Sequence, residues 1–228
     1  MRQLGNVLVT GGASGLGAAA VEAVLAEGGT PLVLDREVPS APVKHACVDL
    51  ADRRAAEHAV QELAEGAGGL DAVFTAAGID SCGQLGSVPP ADWERVIEVN
   101  LLGTAAVVRA ALPHLERARG TVVTCASTLG VSAVSDATAY CASKFGIVGF
   151  TRALAAETRG RIGVTLLVPG GMRTAFFDGR DEQYKPPPGA KLNKPEDVAA
   201  AVVFALRQPP GCEVREMVVC HSEEPSWP

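Results

Sequence analysis

The stretch Asn6-Val7-Leu8-Val9-Thr10-Gly11-Gly12-Ala13-Ser14-Gly15-Leu16-Gly17 constrains this chain more than any other. An apolar run of β-type residues stops at glycines, and an Ala-rich run with Val21, Val24 and Leu25 follows. That order reads as strand, tight turn, helix. Glycine lets backbone N–H groups approach a phosphate closely, and the start of a helix carries partial positive charge. A Gly-rich turn alone also fits an empty turn, so the downstream residues decide.

Downstream, short apolar runs alternate with helical patterns. Strands are expected at Thr30–Arg36, Val43–Asp49, Leu70–Thr75, Gly120–Ala126, Ile162–Val168 and Val214–Cys220. Helical spacing of apolar residues marks Ala51–Glu65, a stretch from Pro89 towards Leu115 with a break at Gly103, Thr138–Thr158 stopped by Gly160, and Lys194–Leu206. Nearly continuous apolar strands are those covered on both faces. The expectation is an α/β chain: a doubly wound parallel sheet of about seven strands with right-handed crossovers, in one domain over residues 1–228. Ligands of such sheets bind beyond the carboxyl ends of the strands.

Composition narrows the classes. The 228 residues carry a net charge of −6, which gives no reason to expect nucleic acid or an anionic membrane as partner. No apolar run reaches bilayer length and no export signal is visible, so a cytoplasmic location is expected. The six cysteines form no Cys-x-x-Cys pair and read as free thiols. The four histidines are scattered, and no metal is expected.

Several residues carry possible chemistry. Asp35 ends the second strand, 18 residues beyond Gly17, where an acid accepts hydrogen bonds from ribose hydroxyls and repels a 2′-phosphate. Arg36 beside it can meet such a phosphate, and Ser14 is not basic. NAD is therefore favoured over NADP. Tyr140 and Lys144 stand four apart on a helix, where an ammonium near the phenol lowers its pKa and makes Tyr140 a general acid/base. Ser127 ends a strand and can hold a substrate oxygen. Asn100 lies inside a helix, where Asn is a poor former without a further partner.

Thr10-Gly11-x-x-x-Gly15-x-Gly17, Asn100, Ser127, Tyr140-x-x-x-Lys144 and Pro169-Gly170-x-x-x-Thr174 together resemble the short-chain dehydrogenase/reductase family, in its compact single-domain branch. The resemblance covers nearly the whole chain and implies a Rossmann-like three-layer fold with an Asn100–Ser127–Tyr140–Lys144 tetrad. It implies that Tyr140 exchanges a proton with the substrate oxygen, Ser127 holds that oxygen, Lys144 binds the nicotinamide ribose, and Asn100 holds a relay water. It places Gly11, Ser14, Gly15, Leu16 and Gly17 at the dinucleotide and Asp49 and Leu50 near the adenine. Ala76, Ala77 and Gly78 fall near the adenosine ribose and pyrophosphate, and Pro169, Gly170, Met172 and Thr174 around the carboxamide.

The expected reaction is hydride transfer between NAD(H) and a secondary alcohol or ketone. The alternatives are an NADPH-dependent carbonyl reductase and a non-catalytic dinucleotide-binding protein. The resemblance further implies a homotetramer or homodimer through helices containing Ala105–Leu115 and Tyr140–Leu154, with Ala142, Gly146 and Gly149 allowing close packing. Two departures stand out. Thr75-Ala76 replaces the usual Asn-Asn, whose amides tie neighbouring strands together. The chain also ends in an acidic tail, residues 221–228, with Trp227 expected to reach a neighbouring subunit. The segment of about 175–192 sits at the family's substrate loop, where Phe176 and Phe177 either form an apolar wall or anchor the loop.

Overall fold

A computed structural model of the chain describes residues 1–227; Pro228, counted above with the tail, lies outside the described residues. The strands are β1 (Asn6–Thr10), β2 (Thr30–Asp35), β3 (Lys44–Cys47), β4 (Ala72–Thr75), β5 (Thr121–Cys125), β6 (Gly163–Pro169) and β7 (Glu216–Val219). All pair in parallel, in the order β3-β2-β1-β4-β5-β6-β7. The order reverses between β1 and β4, and the site lies there.

The helices are α1 (Gly15–Ala26), α2 (Arg53–Ala67), α3 (Pro90–Ile97), α4 (Thr104–Ala118), α5 (Thr138–Glu157) and α6 (Pro195–Leu206). The two-residue period of the strands sorts them into layers. Val7, Val9 and Val33 point to the side of α1 and α6, while Leu8, Leu32 and Leu34 point to the side of α2 and α4. Phe74 is wholly buried on the first side and Leu115 on the second.

Local chemistry sets the helix ends. Asp52 caps α2 by accepting from the Ala55 N–H at 3.0 Å, and Gly68 closes it in the left-handed conformation. Pro90 and Pro195 open α3 and α6, where a missing N–H costs nothing. The break expected at Gly103 is a π-helical turn over Glu98–Gly103 that joins α3 to α4. The strands at Lys44–Cys47 and Glu216–Val219 are shorter than their apolar patterns because both lie at sheet edges and are partly exposed.

The helical stretch Pro90–Ala118 has the length and apolar character of a bilayer span, which corrects the reading that none does; 56% of its most apolar window is buried inside the protein. Thr75, standing where the family keeps an Asn, has a buried hydroxyl without a hydrogen-bond partner. The lost strand-tying amide therefore leaves an unpaired polar atom at the end of β4, a cost to local stability.

Candidate active site

The carboxyl ends of the central strands open into a cavity of about 750 Å³, within the size range of cofactor sites. Every residue assigned to a dinucleotide from the sequence lies on its wall: the glycine turn with Ser14 and Leu16, Asp35 and Arg36, Asp49 and Leu50, Ala76 to Gly78, and Pro169, Gly170, Met172 and Thr174. Ser127, Tyr140 and Lys144 line it too. Asn100 does not; it is buried behind the wall.

The glycine turn is shaped for a close ligand. Gly11 sits at φ +70°, where side chains are strained, and Gly17 packs so near the turn that a Cβ would meet the Gly11 carbonyl. Ser14 precedes α1 but makes no side-chain cap bond. The first N–H groups of a 12-residue helix therefore face the cavity without an internal acceptor. An uncapped helix start behind a glycine turn fits a pyrophosphate.

Asp35 accepts from the Ala13 N–H at 2.9 Å and the Glu37 N–H at 3.1 Å, which fixes its carboxylate beside the turn. Asp49 accepts from Arg95 at 2.5 Å and from the Ala51 N–H at 3.0 Å. Burial works to raise the Asp49 pKa, yet Arg95, with Arg36 further off, holds it below the usual carboxylate range. Arg95 escapes sequence reasoning; it sits 46 positions from its partner.

Asn100 is locked by three bonds. Its Oδ1 accepts from the Ile79 N–H at 2.8 Å, and its Nδ2 donates to the Ile79 carbonyl at 2.9 Å and to Ser143 Oγ at 3.0 Å. These bonds tie the π-helical turn to the loop after β4 and to α5. A Cβ on Gly78 would lie 3.5 Å from both Asn100 Oδ1 and Lys144 Nζ, so Gly78 packs against both and forms the wall in front of Asn100. Lys144 donates to the Cys125 carbonyl at 2.9 Å, and its Nζ stands 5.5 Å from the Tyr140 ring centroid.

Burial dominates the electrostatics of this pair. It pushes the Tyr140 phenol well above its ordinary value and the Lys144 ammonium below. The Ser127 hydroxyl and the Arg180 guanidinium pull Tyr140 down, while Asp80 pushes it up.

The segment of about 175–192, expected to be the substrate loop, contains two short 3-10 turns, Ala175–Phe177 and Glu182–Tyr184. Phe176 stacks at 5.7 Å on Tyr140, and Arg180 lies over Phe176 and Phe177 at 4.9 and 4.6 Å. Arg180 also donates to Asp80 at 2.7 Å, with both side chains largely buried. The two phenylalanines thus form a wall and an anchor at once. Cys82 bonds to the same Asp80 carboxylate at 3.2 Å, and burial together with that charge pushes its thiol up to about 12, so it is no nucleophile. All six cysteines are free, and among the described residues no group of His, Cys, Asp and Glu converges as metal ligands.

The tail packs over its own chain at Glu224 and Ser226, which lie on the cavity wall, while Trp227 is exposed. Gly146, expected to open a subunit contact, instead makes room for Leu101 of the same chain; Gly149 does face open space.

Known proteins share this arrangement. The family model described as short chain dehydrogenase matches residues 5–185. L-fucose dehydrogenase of Mus musculus is 29% identical over 239 residues, covering 96% of this chain and 88% of that protein. The 3-oxoacyl-[acyl-carrier-protein] reductase of Thermotoga maritima is 31% identical over 224 residues, covering 90% and 91%. The crystal structure of a short chain dehydrogenase from Burkholderia cenocepacia in complex with NADP superposes with a TM-score of 0.83 at 27% identity, covering 96% of this chain and 97% of that one. The glycine turn, the parallel sheet and the match over most of the chain lead to one conclusion: this chain belongs to the short-chain dehydrogenase family, and it is an oxidoreductase with a dinucleotide-binding fold.

Proposed function

We propose that the chain interconverts a secondary alcohol and a ketone with NAD(H). The observation that carries the reading is the meeting of Ser127, Tyr140 and Lys144 on one cavity wall, with Asn100 locked behind Gly78. Tyr140 passes a proton to the carbonyl oxygen in reduction and takes it back in oxidation. Ser127, whose Oγ accepts from the Leu129 N–H at 3.1 Å, keeps its own proton to hold that oxygen. Lys144 orients the nicotinamide ribose. Asn100, with both amide protons donated within the chain, holds the turn behind Gly78 at which the relay water is placed. The bound nicotinamide supplies or accepts the hydride.

Asp35 supports NAD, since its carboxylate would face a 2′-phosphate at close range. One observation favours NADP as a second reading: Arg36 and Arg95 line the same end of the cavity. The relatives act, by name, on a sugar and on an acyl-carrier thioester, so they do not select the substrate. Ala142, Phe145 and Gly149 form an exposed stripe on α5 that suits assembly into a homodimer or homotetramer.

The test is a set of initial rates on secondary alcohols with NAD and NADP, for the wild type and Tyr140→Phe. Turnover with NAD ahead of NADP, lost by about 10²–10⁴-fold in the variant with dinucleotide affinity within about threefold, is expected. Near-normal rates in the variant overturn the proton role, and a strong NADP preference overturns the Asp35 reading.

A further inference from the structure

The tail after β7 contributes Glu224 and Ser226 to the active-site wall. The Gly171 N–H donates to Glu224 Oε2 at 2.9 Å, and Ser226 donates to Oε1 from Oγ at 2.7 Å and from its N–H at 3.2 Å. Ser226 Oγ also lies 2.7 Å from Thr128 Oγ1, next to Ser127. Its single proton goes to the carboxylate, so it accepts from Thr128. The tail thereby straps the loop after β6 to the loop after β5, on either side of the reacting centre. The fit is close: a Cβ on Gly170 would come 2.5 Å from Glu224 Oε2.

The carboxylate is unusual in two ways. Burial opposes its charge, but the Ser226 hydroxyl and the Gly171 and Ser226 N–H groups hold its pKa below the usual range, so it is ionised. Among the described residues it forms no direct ion pair, a state it shares with Asp35, whereas Asp49 and Asp80 in the same cavity are paired with arginines; only the more distant charge of His221 acts on it. Two carboxylate oxygens offer about four acceptor positions. Three are taken by the chain itself, and one on Oε2 is left for a ligand.

Resting on the dehydrogenase reading above, we propose that Glu224 is a specificity-determining residue that selects neutral substrates with a second hydroxyl near the reacting carbinol, diols and polyols, and rejects anionic ones. The second hydroxyl donates to the remaining acceptor position. A substrate carboxylate brings a like charge against a group that only His221, without a direct ion pair, offsets.

Three four-carbon secondary alcohols test this: butane-2,3-diol, butan-2-ol and 3-hydroxybutanoate, compared by kcat/KM in wild type and Glu224→Gln. The wild type should rank them in that order. In the variant, the diol to butan-2-ol ratio should fall by about tenfold and the 3-hydroxybutanoate to butan-2-ol ratio should rise by about tenfold. A chain ending at Ser222 should shift both ratios the same way if the glutamine disturbs the strap. Equal loss on all three substrates means the tail is only an anchor and overturns the proposal. So does a wild type that prefers 3-hydroxybutanoate to the diol, or that turns over none of the three. The wider alcohol panel with Tyr140→Phe judges the dehydrogenase reading separately.

Discussion

Asp80 and Arg180 act on Tyr140 with opposite signs, the carboxylate raising the phenol pKa and the guanidinium lowering it. With Tyr140 in the proposed role, oxidation of an alcohol needs the phenolate, so kcat/KM for oxidation should rise with pH along its titration. Asp80→Asn removes the raising charge and leaves Arg180 unpaired; Arg180→Met removes the lowering charge and leaves Asp80 unpaired. The Arg180 guanidinium lies 4.9 Å from the Phe176 ring centre, which lies 5.7 Å from that of Tyr140. That puts the charge no more than about 11 Å from the Tyr140 ring centre; at about 10 Å a unit charge at an effective dielectric of about 20 is worth about 1.7 kcal/mol, or about one pH unit. Asp80→Asn should move the rising limb down by about one unit, and Arg180→Met should move it up by a similar amount.

The assay is kcat/KM for oxidation between about pH 6 and 11. A second measurement is independent of turnover. The chain has two tyrosines, so tyrosinate absorbance in a Tyr184→Phe background reports Tyr140 directly. Shifts of the same sign in both variants, or no shift in either, would refute the electrostatic account and leave the pair as a clasp for the loop.

Two further predictions concern the framework. Gly17→Ala places a Cβ 2.0 Å from the Gly11 carbonyl oxygen, a backbone atom that cannot swing aside, so the turn must open. Dinucleotide affinity by calorimetry should fall at least about tenfold with a loss of about 1–3 kcal/mol in stability; unchanged affinity would separate the turn from the ligand. Asn100→Ala strands the Ile79 N–H and carbonyl, which should cost about 3 kcal/mol and lower Tm by roughly 6–12 °C. Ser143→Ala, which removes only one of the three bonds, should fall well short of that in the same thermal melt.

Periodic and local features were legible in the residues. The β1 run, the glycine turn and α1 obey rules that act within a few positions, and the strand patterns fixed the two covered faces through alternation such as Val7, Leu8, Val9. The break in the helix at Gly103 was legible as an irregularity, but its π-helical form was not, because it depends on Asn100 reaching Ile79 across 21 positions. The Tyr140–Lys144 spacing was legible as a shared face, with Nζ 5.5 Å from the ring, but the burial of Lys144 was not, since helix spacing carries no measure of it.

The groups at the substrate end were invisible for a single reason. Asp80 and Arg180 stand 100 positions apart, and Glu224 and Gly171 stand 53 apart, all in segments without period. A charged residue in a loop reads as solvated until the fold decides what it faces. The doubly wound sheet makes that decision: it delivers every loop after a central strand to one edge, and a tail following the last strand starts beside that edge. Short acidic ends are therefore placed to enter the pocket only when the loop after β6 leaves room. Here Gly170 and Gly171 leave it, since any side chain at Gly170 would collide with the Glu224 carboxylate. Gly170, which the family resemblance places at the carboxamide, thus also admits the residue proposed to face the substrate.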